Sequence, residues 1–247
     1  MNQSYAEILA RHIFELKYEH LSSSTIQKTK QCLLDYIGGV FHASKSDTAI
    51  SYINLAKELG GDGTAEILGS KVKTTASYAA FANAALGHIA ETDDGHRASI
   101  MHIGTVVFPV IFALKSETLI DGKDIIEAAV VGYELAIRVG ECLNQSHYNT
   151  WHTTATAGTF GAAAAAAKIL KLTEEQTAWT LAHAGTQMAG LWQFLDDSCL
   201  TAKVLHPAKS AQNGIIAAFT AKANIPGPSH IFEGKRGVAN AYSTNSD

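Results

Sequence analysis

Twelve residues, ETDDGHRASIMH at 91–102, hold three carboxylates, one arginine and two histidines in a chain where only 17% of residues are charged. Glu91, Asp93 and Asp94 fall within four positions. Carboxylates crowded together raise one another's pKa, which is how a carboxyl becomes an acid or base near neutrality. His96 and His102 add imidazoles, the side-chain type whose ordinary pKa lies nearest neutrality. Such a set suits abstraction of a proton from a carbon beside a carboxylate, followed by elimination or reprotonation. A solvated junction between two helices is the plainer reading of the same residues. A metal centre built from Glu91, Asp93, His96 and His102 has no HExxH or comparable ligand spacing behind it, so no metal is assigned.

Two further polar islands interrupt the apolar chain. NTWHTTATAG at 149–158 places His152 and several threonines ahead of an alanine run, and TAKVLHPAK at 201–209 carries Lys203, His206 and Lys209. These are cationic and hydrogen-bonding groups for an anionic substrate, with Lys203 and a helix N-terminus expected near His206. Taken singly, His152 also reads as a helix cap or a satisfied core histidine, and Lys203 as a surface lysine. Seven of the eleven histidines nevertheless fall between 88 and 206.

The elements that must position these islands are helices. The chain has 247 residues, 47% of them hydrophobic, with four prolines and alanine-dense stretches such as FGAAAAAAKIL. That composition favours helices packed closely through small side chains. Helices are expected over 4–17, from the caps SSST at 22–25 onward, over 47–59, 75–92 and 104–117, and in a long segment capped by Asp121. A small-residue helix after His152 has too little bulk to be anything but buried. Another follows with Thr173 and Gln176 in capping-box register, and a last one, LHPAKSAQNGIIAAFTAKA, is stopped by Pro226-Gly227-Pro228. GTAEILGS at 63–70 is the single strand-like stretch. About eight helices and almost no sheet make an all-α fold.

Several function classes drop out. The net charge is −4 with no Lys/Arg run, so no nucleic-acid partner is expected. No apolar stretch of about 18 residues suggests a membrane span. GGDGTAEILG lacks the phosphate-loop pattern, and no cofactor is assigned. Cys32, Cys142 and Cys199 are scattered and odd in number, and the N-terminus does not read as a signal peptide, so a cytoplasmic location is expected.

The longer patterns carry a resemblance. ALGHIAETDDGHRASIMHIGTVVFPVIFAL, GYELAIRVG, WHTTATAGTFGAAAAAAKILKLTEEQTAWTLAHAGTQMAGL and AKVLHPAKSAQNGIIAAFTAKANIPGPSHIFEGKRG resemble, in order, the MmgE/PrpD family, from near residue 5 to near 240. That family includes 2-methylcitrate dehydratase, cis-aconitate decarboxylase and iminodisuccinate epimerase. The resemblance implies a large helical domain with a smaller α+β lid, an active site between them, homodimers formed through the helical domain, and metal-independent proton chemistry on small di- and tricarboxylates.

It also implies roles. Glu91, Asp93, Asp94 and His102 match the acidic motif and its closing histidine, the catalytic candidates. His96, Arg97, His152, Lys203 and His206 are the substrate-binding candidates. Glu91 stands where many members have Asp, Gly95 where many have Thr, and Ile103 where Pro is usual. Family members are almost twice as long. The expectation is therefore a truncated helical domain over 1–240 without its lid and a polar tail over 241–247, with a separate lid-domain polypeptide as a candidate partner. The expected activity is a dehydratase-like lyase acting on a substrate such as 2-methylcitrate. The alternatives are an epimerase or decarboxylase of the same family, or an incomplete domain that dimerises or binds polycarboxylates without turnover.

Overall fold

The computed structural model describes residues 3–244. Helices α1 (Tyr5–Glu15), α2 (Ser23–Ala43) and α3 (Asp47–Gly60) come first. A two-residue hairpin follows, with β1 (Ala65–Glu66) antiparallel to β2 (Lys73–Thr74). Then come α4 (Ala76–His88), α5 (Gly104–Leu114), α6 (Gly122–Tyr148), α7 (Thr153–Ile169) and α8 (Glu174–Gly185). Two single-turn helices, α9 (Gln193–Asp196) and α10 (Leu200–Lys203), lead into α11 (Leu205–Lys222) and the short α12 (Val238–Tyr242). The all-α expectation holds.

Local chemistry starts many of these helices. Ser4 and Glu7 form a reciprocal capping box on α1, and Thr173 and Gln176 form the expected one on α8. Ser22, Ser46 and Asp121 accept backbone N–H groups at the starts of α2, α3 and α6. Each cap satisfies donors that a helix leaves open at its first turn.

The core is built on helices that have no polar face. In α7 every residue except Lys168 is buried, and α4 and α5 are nearly as enclosed. α7 lies among α5, α6, α8 and α11, while α4 packs on α2, α3, α5 and α11. Small residues permit this. A Cβ on Gly161 of α7 would come within 2.7 Å of the Gly132 carbonyl of α6, and one on Gly132 within 3.0 Å of the Gly161 carbonyl. Among the described residues no helix is long and apolar enough to cross a membrane.

Several boundaries differ from expectation. α4 ends at His88 rather than 92, because the chain turns there and Glu91 takes φ +54°. α5 ends at Leu114, and the long helix α6 is interrupted at Asn144 (φ +53°), whose Oδ1 accepts the Ser146 amide to restart it. The strand-like stretch pairs over only two residues. Its ends are held by Asn83, which accepts the Leu68 amide at 2.8 Å and donates to the Glu66 carbonyl at 3.0 Å. α9 and α10 had no sequence periodicity to announce them. The expected tail boundary at 241 falls inside α12, where the Tyr242 hydroxyl donates to the Met188 carbonyl at 2.8 Å. Residues 245–247 lie outside the described residues.

Lys168, the polar exception on α7, fastens α1 to the core. Its ammonium donates to the carbonyls of Ile13 (3.0 Å) and Leu16 near the C-terminal end of α1, and pairs with Glu127 at 3.4 Å. Burial pushes its pKa down. Lys168→Met keeps the apolar stem and removes these bonds. It is expected to cost about 2–3 kcal/mol of unfolding free energy in urea titrations, and a loss below the error of the measurement would contradict the role.

Candidate active site

Helix ends bring the three islands together. α4 delivers His88 in its last turn, and the loop after it carries Asp93 to His102. His152 stands at the N-cap of α7, His206 in the first turn of α11, and Lys203 at the end of α10. The His88 ring centroid lies 5.1 Å from that of His102 and 6.1 Å from that of His152, and His152 lies 5.3 Å from His206. A cavity of about 360 Å³ opens over them, lined by Gly95, His96, Arg97, Ile100, Met101, His102, Tyr148, His152, Trp192 and Lys203.

The four catalytic candidates divide sharply, and His102 is the one that lines the cavity. Its Nδ1 faces the carbonyls of Asp94 (3.1 Å) and Asp93 (3.3 Å). Carbonyls only accept, so Nδ1 carries the hydrogen and Nε2 remains for the cavity. The His102 amide is fixed by Thr154 Oγ1 at 3.0 Å.

Asp93 lies behind this ring, its side chain 2% exposed, accepting from His88 Nδ1 at 2.7 Å. Asp94 is committed to packing. Its Oδ1 accepts the Gly104 amide at the start of α5 (2.9 Å), and its Oδ2 accepts the Tyr133 hydroxyl (2.7 Å). Burial raises the Asp94 pKa, against the pull of those two bonds. Glu91 is half-exposed and ion-pairs with Lys203.

Two of the binding candidates, Lys203 and Arg97, form a cationic rim. Lys203 is largely covered, its side chain 13% exposed. Arg97 is exposed at the tip of a turn in which His96 and Met101 exchange backbone bonds. His96 Nδ1 accepts the Ser99 amide at 3.3 Å. Ile100, in the same turn, takes φ +50°, an uncommon conformation for a β-branched residue. Strain of this kind persists where surrounding bonds enforce it.

His206 does not line the cavity but bonds His152, Nδ1 to Nδ1, at 3.0 Å. One of these nitrogens must donate and the other accept, so at least the accepting ring is neutral. Burial, then the nearby His88 and Lys203, pushes His206 down to about 4, and burial first pushes His152 well below its ordinary value. The expected helix N-terminus beside His206 is present, since α11 starts at Leu205, but Val204 between α10 and α11 keeps right-handed helical angles, so the chain enters α11 already coiled.

The sequence reading assigned no role to His88, Tyr148 or Trp192. Trp192 lies 4.6 Å from the His152 ring, and its indole nitrogen is buried without a partner among the described residues. His88 stood five residues before Asp93, the one available signal. His88, Asp93 and His102 also have donor atoms within 4.8 Å of one another. Two ligands at roughly 2.0–2.1 Å from one tetrahedral ion sit roughly 3.3 Å apart. The 2.7 Å between His88 and Asp93 is instead the separation of atoms sharing a proton.

A family model described as the MmgE/PrpD N-terminal domain matches residues 7–247. The chain belongs to the MmgE/PrpD family. Its relatives include a human cis-aconitate decarboxylase, 29% identical over all of this chain and 52% of its own length. An Aspergillus terreus cis-aconitate decarboxylase is 28% identical over 83% of this chain and 43% of its own length. A cis-aconitate decarboxylase-like protein, oryM, from Aspergillus oryzae is 28% identical over 91% of this chain and 48% of its own length. The chain thus spans about half the length of the curated relatives it matches.

Two outcomes follow from this geometry. Asp94→Ala removes the cap of α5 and the Tyr133 bond, and is expected to cost about 1–2 kcal/mol in chemical unfolding. Glu91→Gln, at the exposed rim, should leave stability within about 0.5 kcal/mol. Equal losses would contradict the division between them. For His206 the sign is set by a folded pKa of about 4 against an ordinary 6.5. The unfolded chain takes up a proton that the folded one refuses, so stability falls as pH drops through that window. Thermal melts from neutral pH downward should show a shallower decline for His206→Gln than for the parent chain, and parallel declines would overturn the assignment.

Proposed function

We propose that this chain supplies the helical half of a metal-independent lyase site for a small tricarboxylate, with His102 as the group that moves the proton. The observation that carries the reading is the position of His102. It is the candidate acid/base on the cavity, its Nδ1 is held by two carbonyls, and Arg97, His152 and Lys203 are in the same wall. Lys203 and Arg97 fit carboxylates, and neutral His152 offers a hydrogen bond without adding charge.

The relatives named cis-aconitate decarboxylase bring decarboxylation forward as the first reaction to test. Departure of CO₂ leaves its bonding electron pair delocalised toward the neighbouring double bond and carboxylate. Protonated His102 then returns a hydrogen to carbon. Dehydration of 2-methylcitrate, the expectation from resemblance, uses the same histidine in the opposite sense. Neutral His102 takes the carbon-bound proton and hydroxide departs from the adjacent carbon. Both place developing negative charge beside Lys203, where a fixed cation lowers the barrier.

Gly95 bears on the choice of substrate. A Cβ there would meet only the Met101 carbonyl at 3.9 Å and His102 Nδ1 at 4.0 Å, so this site has room beside its acid/base group. The same reading makes the chain a homodimer and seats a further α+β segment over the open side of the cavity.

The test is exchange and turnover in heavy water, followed by NMR, with cis-aconitate, 2-methylcitrate, citrate and iminodisuccinate. The expected result is conversion or deuterium incorporation with at least one of them. His102→Gln should reduce it about 10²–10⁴-fold, and Lys203→Ala should lower kcat as well as raise KM. Binding without exchange in the folded, full natural assembly would replace this proposal with a non-catalytic polycarboxylate-binding domain.

A further inference from the structure

The pair behind the cavity has a use that the proposed reaction leaves open. His88 is fully buried, and its Nδ1 donates to Asp93 Oδ2 at 2.7 Å. The same oxygen lies 3.6 Å from His102 Nδ1, on the ring edge opposite the nitrogen left for the cavity. As core packing alone this is a poor arrangement. It buries an ionisable carboxylate and leaves both Asp93 Oδ1 and His88 Nε2 without partners among the described residues. Buried polar atoms in folded proteins are nearly always paired, and exceptions concentrate where function demands them.

We propose that His88 and Asp93 are positioning residues for His102: the Asp93 and Asp94 carbonyls hold its Nδ1–H form, and His88 clamps the Asp93 carboxylate where it faces the positive ring once Nε2 has taken a proton. The inference rests on His102 being the acid/base group. Asp93 does not reach the cavity, so it does not touch substrate itself. The surroundings of His102 explain why an anion is needed there. His152 and Lys203 lie on the cavity side, with Arg97 beyond, and none of them stabilises an imidazolium. Asp93 is the carboxylate facing the ring, because Asp94 is tied to Gly104 and Tyr133, and Glu91 to Lys203. The arrangement follows the logic by which a buried aspartate offsets the charge that a catalytic histidine gains.

Two measurements test this, one of them independent of any substrate. Ring ¹⁵N NMR of the chain should show His102 as the Nδ1–H form, held by the two carbonyls, in parent and variants alike. Asp93→Asn removes the charge facing the ring, so on acidification the doubly protonated His102 ring should appear at a lower pH than in the parent chain while the fold is retained. Asp93→Ser serves if the asparagine variant does not fold. A His102 ring that takes up its second proton at the same pH in these variants as in the parent overturns the proposal, whether or not a substrate has been found.

With a turned-over substrate, His88→Leu should lower kcat on the order of 10–100-fold with KM within about threefold. His88→Gln, which keeps a donor toward Asp93, should recover most of that loss. Equal loss in the leucine and glutamine variants, tracking only the folded fraction, would mean that the pair is structural. Absence of turnover together with the expected change in the pH at which His102 becomes charged would count against the reaction and leave the positioning intact.

Discussion

Close approach of helix backbones through α7 is the constraint on which the rest of this molecule depends. Threonine, alanine and glycine fill that helix, and the Gly132–Gly161 contact would not survive a methyl group on either side without a shift. Because α7 is thin, α5, α6 and α11 all reach it. Their ends then converge on one edge of the bundle. His152 can bond His206 only because α7 and α11 start side by side, a juxtaposition sealed by Ser210, whose hydroxyl donates to the Ala155 carbonyl at 2.6 Å. His102 can bond Thr154 only because α5 enters alongside the same helix start. Close packing of the interior and placement of the site are therefore one fact.

The electrostatics follow from that placement. Histidines crowded at the buried ends of apolar helices cannot all be charged, and the structure resolves the conflict by position. His152 and His206 share a proton-bearing nitrogen pair and are held neutral by burial. Lys203 pairs with Glu91 at the edge of the cavity. On the proposed reading, an incoming polycarboxylate would find a lysine and an arginine at the rim and neutral imidazoles deeper in. That order would avoid stacking several cations in a low-dielectric interior.

Much of the fold was legible because several helices announced themselves twice, by composition and by cap. Thr173 with Gln176, Asp121 and the serines of SSST all mark real starts. The buried character of α7 was legible for a simpler reason, since a helix of alanine and threonine has no side chains with which to face water. The misses lie where backbone geometry overrides composition. Glu91 and Asn144 take positive φ, and the single-turn helices α9 and α10 are too short for a periodicity to emerge. In the site, the gathering of the three islands was readable from their shared chemistry. His88 was not, because a histidine inside an alanine-rich helix gives no sign of its partner when that partner lies beyond the helix end.

The three carboxylates of ETDD show why residue type alone could not assign the roles. Within four positions they have nearly the same chemistry, yet the left-handed turn at Glu91 sends each in a different direction. Glu91 reaches outward to Lys203, Asp93 inward to His88, and Asp94 across to the start of α5. Each destination needs an anion for a different reason: a cation to orient, a ring to hold, a helix terminus to cap. A one-residue shift in this turn would exchange those destinations without changing composition. The site therefore depends as much on the backbone at residues 89–95 as on the acids it carries, and the cost of a non-glycine residue at positive φ is offset by the separate fixing of three charges.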